Sequence, residues 1–127
     1  MIVLMRSCFA KARATARMLS ATSPPLPPPP VVKPMGLLHY TYCMDMAARR
    51  GPHRAAHLAH ARAAAGRGEL LLGGATAEVD AGYLVFTTEG GARSFAEADP
   101  YVHARLVDAW AVRTWNVVVG SVYDSIP

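Results

Sequence analysis

A helix that leads directly into a strand constrains this sequence more than any other feature. Pro52 suits the first turn of a helix, where its missing N–H leaves no hydrogen bond unmade. The alanine-rich run that follows has high helix propensity, and Gly66 and Gly68 supply positions where a helix ends. An apolar segment begins immediately afterwards. We therefore predict a helix over residues 52–65 and a strand over residues 70–75.

Three histidines fall on one stripe of this predicted helix. His53, His57 and His60 lie within an arc of about 60° when each residue advances the helix by about 100°. Histidines at i and i+4 can clamp a metal ion, but the helix carries no carboxylate and Cys43 is the only thiol near in sequence. The alternative is that His53 and His60 are surface residues and that His57 acts as an acid or base near neutral pH.

The first third of the chain has a different composition. Residues 1–34 contain no acidic side chain and five basic ones, namely Arg6, Lys11, Arg13, Arg17 and Lys33. Spaced basic residues with Ser and Thr and without acids are typical of an organellar transit peptide. Residues 24–34 include seven prolines, which indicates an extended linker or a ligand of an SH3-like module. We predict a transit peptide over 1–23, a Pro-rich linker over 24–36 and a mitochondrial or plastid location; a cytoplasmic location is the alternative.

The net positive charge of the chain comes from residues 1–34. The whole chain is +4, whereas the residues from Met35 onward contain 8 basic and 9 acidic side chains. The remaining domain therefore lacks the basic surface that nucleic-acid binding requires, and we expect no nucleic-acid partner. The apolar run over residues 1–5 is too short to span a bilayer, so we expect no membrane partner. Cys43 alone cannot form an internal disulfide.

The rest of the chain reads as one small domain over residues 37–120, followed by a C-terminal tail over 121–127. Its predicted elements are strand 37–44, helix 52–65, strand 70–75, strand 82–88, helix 92–98 and strand 106–119. The order βαββαβ belongs to the α+β class. With right-handed crossovers it gives a ferredoxin-like, four-stranded antiparallel sheet with both helices on one face.

Such a sheet leaves its second face without a covering layer. The strands carry Tyr83, Phe86, Trp110 and Trp115, and we expect their aromatic side chains to make this face too apolar to remain in water. A second copy that packs sheet against sheet would cover it. We therefore predict a homodimer formed through the sheet face.

Four short motifs occur in order along the predicted domain. They are Arg54-x-x-His57-Leu58, Gly68-x-Leu70-Leu71-x-Gly73-Gly74, Ala98-Asp99-Pro100-Tyr101 and Val112-Arg113-x-Trp115. Together they resemble the YciI-like (YCII-related) domain. The resemblance implies a dimeric α+β barrel and a histidine–aspartate pair in a pocket. One branch of that family includes dehydrochlorinases of chlorinated hydroxyquinols, and muconolactone isomerases share the wider fold.

The resemblance assigns roles to individual residues. His57 matches the family histidine and is the candidate general acid or base, and Asp99 matches the aspartate that orients it. Arg54, one turn before His57, is a candidate for binding an anionic substrate group, and Tyr101 for donating a hydrogen bond to a phenolate or enolate oxygen. Each has a scaffold alternative: Asp99 caps the turn at Pro100, Arg54 pairs with Glu97 or Asp99, and Tyr101 is a core residue.

These features predict a small lyase or isomerase that works without a cofactor or a metal. His57 and Asp99 would transfer a proton on a small organic acid or a hydroxylated ring. The sequence has no Gly-rich phosphate loop and no Ser–His–Asp set, which argues against nucleotide and acyl-transfer chemistry. A metabolite-binding module or a dimerisation module of the same fold, without catalysis, is the alternative.

Overall fold

The computed structural model describes residues 23–127 of the chain. Within these residues the strands are β1 (Lys33–Tyr42), β2 (Leu70–Ala75), β3 (Ala81–Phe86) and β4 (Val107–Val117). The helices of the same region are α1 (Met46–Arg49), α2 (Gly51–Gly66), α3 (Glu89–Ala98) and α4 (Pro100–His103), and a 3₁₀ turn covers Tyr123–Ser125. Most of the predicted transit peptide, residues 1–22, lies outside the described residues.

The four strands form one antiparallel sheet in the order β2–β3–β1–β4. The main core lies between one face of this sheet and the helices α2 and α3. It joins Leu38, Tyr40 and Phe86 of the strands to Ala64 of α2 and Phe95 of α3. The strand order and the position of both helices confirm the predicted ferredoxin-like α+β fold.

The predicted helix–strand unit is present. α2 is only slightly longer than predicted, and β2 covers the predicted residues. Gly68, in the turn between them, has a φ of 75°, a left-handed conformation that glycine adopts without steric cost. Ala64 of α2 is fully buried, and such a small side chain lets the helix approach the sheet closely.

The first strand begins at Lys33, inside the segment that was predicted as a linker. Its opening residues pair with β4 alone, through Lys33 with Val117 and Pro34 with Asn116, whereas pairing with β3 starts at Gly36. Pro34 is tolerated because it lies near the start of β1, where β3 does not yet pair with this strand. At this position β1 is an edge strand on that side, and proline is acceptable in an edge strand. The short helices α1 and α4 were not predicted.

The prediction about the second face of the sheet is wrong for two of its four aromatic residues. Phe86 and Trp110 lie on the helix side, where Phe86 is fully buried and Trp110 packs against the main core. Because side chains alternate along a strand, register decides the face that each one reaches. Tyr83 and Trp115 do lie on the opposite face, which we call the open face, and they are 46% and 48% exposed.

The C-terminal tail covers one end of the open face. Tyr123 and Ile126 pack against a small cluster formed by Met35, Val85 and Val117. Lys33 donates hydrogen bonds of 2.8 Å to the backbone carbonyls of Tyr123 and Ile126. Among residues 23–127, no helix has the length and apolar character needed to cross a bilayer.

Candidate active site

Asp99 is the centre of the candidate site and the only charged residue among the described ones whose side chain is fully buried, with an exposed fraction of 0%. It lies between α3 and α4, directly before Pro100. The first residue of α4 after the proline needs an acceptor for its N–H, and Asp99 Oδ1 accepts the hydrogen bond from the Tyr101 amide at 2.9 Å. The capping role considered for Asp99 is therefore real.

Two further donors reach the same carboxylate from distant parts of the chain. The Tyr40 hydroxyl on β1 donates to Oδ2 at 2.8 Å, and His57 Nδ1 on α2 lies 2.8 Å from Oδ1 and 3.0 Å from Oδ2. The structure thus brings together the two residues that were predicted as a catalytic pair. Asp99 serves the scaffold and holds the imidazole at the same time.

The imidazole of His57 is held in one orientation. Its ring stacks on the ring of Tyr101, with centroids 3.8 Å apart and planes inclined by 5°, and its side chain is 12% exposed. Because the Asp99 carboxylate can only accept, we assign the proton of the neutral ring to Nδ1. Nε2 then carries a lone pair and has no hydrogen-bond partner in the part of the chain described, which is the state that a general base requires.

A cavity of about 170 Å³ adjoins this pair. One wall of the cavity is formed by a stripe of α2 together with the residue before this helix. On the other side, the end of β2 carries small residues that occupy little of the cavity. The lining residues on the helix side are Arg50, Arg54, His57, Leu58 and Ala61; those on the sheet side include Tyr42, Leu70, Gly73, Gly74, Ala75 and Leu84, and Tyr101 completes the lining. The cavity is therefore largely apolar, with cationic and hydroxyl groups at a few points.

Three of the four residues predicted for the site line this cavity, and the fourth contacts one of them. Arg54, His57 and Tyr101 line it directly, and Asp99 lies behind His57. Arg54 forms no ion pair with Glu97 or Asp99 among residues 23–127, so the scaffold role considered for this arginine is absent. Tyr101 is a core residue, as its alternative held, with an exposed fraction of 2%, and it still reaches the cavity.

The two other histidines of α2 do not join His57 in a metal site. His60 Nε2 lies 3.0 Å from the backbone carbonyl of Phe95, and its ring stacks on that of Phe95. His57 is directed to Asp99 instead. Within residues 23–127, no group of three His, Cys, Asp or Glu side chains is placed to hold a metal ion.

Three residues of the site were missed by reasoning from the sequence. Tyr40 and Tyr42 alternate with Thr41 on β1, which places both tyrosines on the helix side of the sheet. That alternation was a usable signal. Arg50 was also missed, although it lies four residues before Arg54 and seven before His57, on the same side of a helix.

Burial and charge perturb both tyrosines. Burial raises the pKa of Tyr40 far above its usual range, and the charge of Asp99 and the hydrogen bond to it act in the same direction. Burial also raises the pKa of Tyr42, to about 12, with a contribution from Tyr101 and Asp99, while Arg50 and Arg54 lower it. Both phenols therefore remain protonated at neutral pH and can act as hydrogen-bond donors.

Comparisons with known proteins identify the family and agree with the fold. A model of the YCII-related domain matches residues 35–116. A solved structure of 5-chloro-2-hydroxyhydroquinone dehydrochlorinase from Burkholderia phenoliruptrix AC1100, in complex with 2,5-dihydroxybenzoquinone, is similar with a TM-score of 0.55 and 24% identity. The similarity covers 64% of this chain and 92% of that chain, and at this identity it shows a shared fold. A search of curated proteins found no match.

The first prediction concerns the stability that the Asp99 carboxylate confers. Asp99→Ala leaves the Tyr40 hydroxyl and the Tyr101 amide without their acceptor, and each unsatisfied buried donor costs about 1–3 kcal/mol. Tyr40→Phe removes one hydrogen bond to a charged group and costs about 1.5–3 kcal/mol. Urea denaturation should therefore show a larger loss for Asp99→Ala than for Tyr40→Phe; equal losses would contradict the central role of the carboxylate.

The second prediction concerns alkaline pH. The pKa of Tyr42 is about 12 in the folded protein and about 10 in an unfolded chain, so the unfolded chain loses this proton first as the pH rises. The contribution of Tyr42 to stability is therefore complete below about pH 10 and decreases between about pH 10 and 12. Tyr42→Phe should make the decrease in unfolding free energy over this interval less steep, as measured by urea denaturation at several pH values. Parallel curves for the variant and the wild type would contradict it.

Proposed function

Because the chain belongs to the YCII-related domain family, we propose that it is an enzyme that transfers a proton on a small organic acid or a hydroxylated ring. The observation that carries this proposal is the 2.8 Å contact between His57 and Asp99 in the wall of the cavity. A dimerisation scaffold has no need of a stacked imidazole whose second nitrogen has no hydrogen-bond partner among the described residues. The reaction type that we propose is that of a lyase or an isomerase without a cofactor.

In this reaction His57 Nε2 takes the proton from a carbon next to a carbonyl or a comparable electron-withdrawing group. The electrons of the broken C–H bond move into an enolate or dienolate, whose negative charge the hydroxyl of Tyr101 can stabilise by a hydrogen bond. The Asp99 carboxylate balances the imidazolium that forms. Return of the proton to another carbon completes an isomerisation; departure of an anionic leaving group from the adjacent carbon completes an elimination.

The size of the cavity supports a substrate with a single ring. A closed apolar cavity of roughly 150 Å³ is sufficient for benzene, and the cavity beside His57 measures about 170 Å³. The structurally similar dehydrochlorinase was solved with 2,5-dihydroxybenzoquinone, which is also a single oxygenated ring. We propose substrates of this size and oxygenation for the present chain.

The third prediction tests the role of His57. Compounds with one hydroxylated or carboxylated ring are screened for conversion by the full chain, and a converted compound is then used with variants. His57→Gln should lower kcat by about 10²–10⁴-fold, the usual contribution of a general acid or base. Asp99→Asn should lower kcat with little change in KM, because an amide can also hold the wrong tautomer of the imidazole.

The matched control is His53→Gln, on the same helix but outside the cavity lining. It should retain the wild-type kcat. Circular dichroism confirms that each variant is folded before its activity is compared. Unchanged turnover in folded His57→Gln would refute catalysis by His57. Conversion of none of the screened compounds would instead favour a binding module.

We also propose that a second copy of the chain covers the open face. Leu72, Tyr83 and Trp115 are 62%, 46% and 48% exposed on that face, so three large apolar side chains of one sheet are in contact with water. The C-terminal tail occupies only the end near Met35 and Val117. The rest of the sheet face is therefore available to a partner, in agreement with the dimeric barrel that the family resemblance implies.

The fourth prediction is that Trp115→Lys converts a dimer into a monomer. Trp115 lies on the edge strand β4, beside the end covered by the tail, and a lysine buried there by a second sheet would have no partner for its charge. Sedimentation velocity of the full chain at micromolar concentration measures the change. Met44→Lys, which alters an apolar residue that is 84% exposed outside the strands, is the control and should remain dimeric. A monomeric wild-type chain would contradict the proposal.

A further inference from the structure

Two guanidinium groups beside the cavity have no anionic partner in the described part of the chain. Arg50 and Arg54 both line it, and among residues 23–127 the ion pairs are His57–Asp99 and Arg67–Glu69 only. Arg50 adopts helical backbone angles directly before α2, so Arg50 and Arg54 lie one helical turn apart. Two cations at this spacing repel each other, and nothing in the described part of the chain neutralises them.

The buried carboxylate of Asp99, behind His57, does not neutralise the two arginines. Asp99 already accepts hydrogen bonds from the Tyr101 amide, the Tyr40 hydroxyl and His57 Nδ1. The two arginines do extend their influence into the cavity, because both lower the pKa of Tyr42, another residue of its lining. Both guanidinium groups are therefore placed to act on a bound anion, and a guanidinium fork matches the geometry of a carboxylate.

A second observation comes from Tyr101. Its hydroxyl is a buried side-chain polar atom without a hydrogen-bond partner among the described residues. The ring is held by stacking on His57 and by an edge contact with Tyr42, so the hydroxyl cannot turn out to solvent without breaking both contacts. A buried hydroxyl without a partner costs free energy. An oxygen atom of a bound molecule would supply the missing acceptor.

We infer that the substrate is a hydroxylated or oxo-substituted single-ring carboxylate, whose carboxylate binds between Arg50 and Arg54 and whose ring oxygen accepts a hydrogen bond from Tyr101. This inference rests on the proposed function and names the substrate class of the same site. Arg50 enters it as a residue that determines specificity. The apolar residues Leu58, Ala61 and Leu84 contact the ring between the polar groups.

Four commercially available probes separate the two polar contacts. They are 2,5-dihydroxybenzoate, 2,5-dihydroxybenzamide, benzoate and benzamide, which combine the presence or absence of the charge with that of the ring hydroxyls. Titration calorimetry on the full chain should show each acid binding at least about tenfold more tightly than its amide, with the difference decreasing as salt is added. Acids that bind no more tightly than amides, or no measurable binding of either acid at millimolar concentration, would overturn the inference.

Variants assign the charge preference to the two arginines. Arg50→Gln and Arg54→Gln should each reduce the preference for acid over amide several-fold, while the affinity for benzamide stays the same. Arg62→Gln is the matched control, since Arg62 is an exposed arginine of the same helix that does not line the cavity. A preference that survives both cavity variants, or that falls equally in Arg62→Gln, would overturn the assignment.

Tyr101→Phe tests the second contact, and we expect it to affect the stability of the free protein and the affinity for a ligand differently. Removal of a buried hydroxyl without a partner should leave the Tm of the free protein unchanged or raise it. The same variant should weaken 2,5-dihydroxybenzoate several-fold and leave benzoate unaffected, because only the former carries a ring oxygen. Equal weakening of both probes would overturn the role of the hydroxyl.

The binding inference and the catalytic proposal can be refuted separately. A preference for the acids that depends on Arg50 and Arg54, found in a chain with no turnover that depends on His57, supports the proposed ligand class and refutes catalysis by His57. Turnover that depends on His57, with equal kcat/KM for a carboxylate substrate and its amide, supports catalysis and overturns the substrate class.

Discussion

The site depends on the hydrogen bonds that the buried carboxylate of Asp99 accepts. Three donors from separate elements converge on it: a side chain of β1, a side chain of α2 and a backbone amide of α4. A buried carboxylate is tolerated only where such donors replace its hydration. The elements that supply these donors are thereby held in a fixed arrangement, and the position of His57 follows from it.

This arrangement explains why the site needs few residues. His57 is held by Asp99 on one ring nitrogen and by Tyr101 against one ring face, so little freedom remains for the imidazole. The backbone amide of Tyr101 donates a hydrogen bond to Asp99 as well, so the same carboxylate positions both stacked residues. Small residues at the end of β2, Gly73 and Gly74, leave space beside this group. The cavity therefore lies directly beside the imidazole of His57.

Several parts of the fold followed from local rules. The alanine-rich helix, its glycine stop and the strand after it depend on propensity and turn chemistry alone, and β2 was predicted at its observed residues. The faces of Phe86 and Trp110 were not predictable in the same way. They depend on the pairing of Gly36 with Phe86 and Tyr40 with Trp110, which are contacts between strands that are distant in the chain.

The sequence by itself determined the order of elements, the α+β class and, through motifs that resemble a known family, the candidates His57, Asp99, Arg54 and Tyr101. Only the tertiary structure decided that Asp99 both caps α4 and holds His57, and that Tyr40 is the third donor to the Asp99 carboxylate. It also decided that Arg50 shares the cavity with Arg54. The physical reason is that periodicity and capping act within a few residues, whereas the hydrogen bonds of a buried carboxylate join residues separated by 42 and 59 positions.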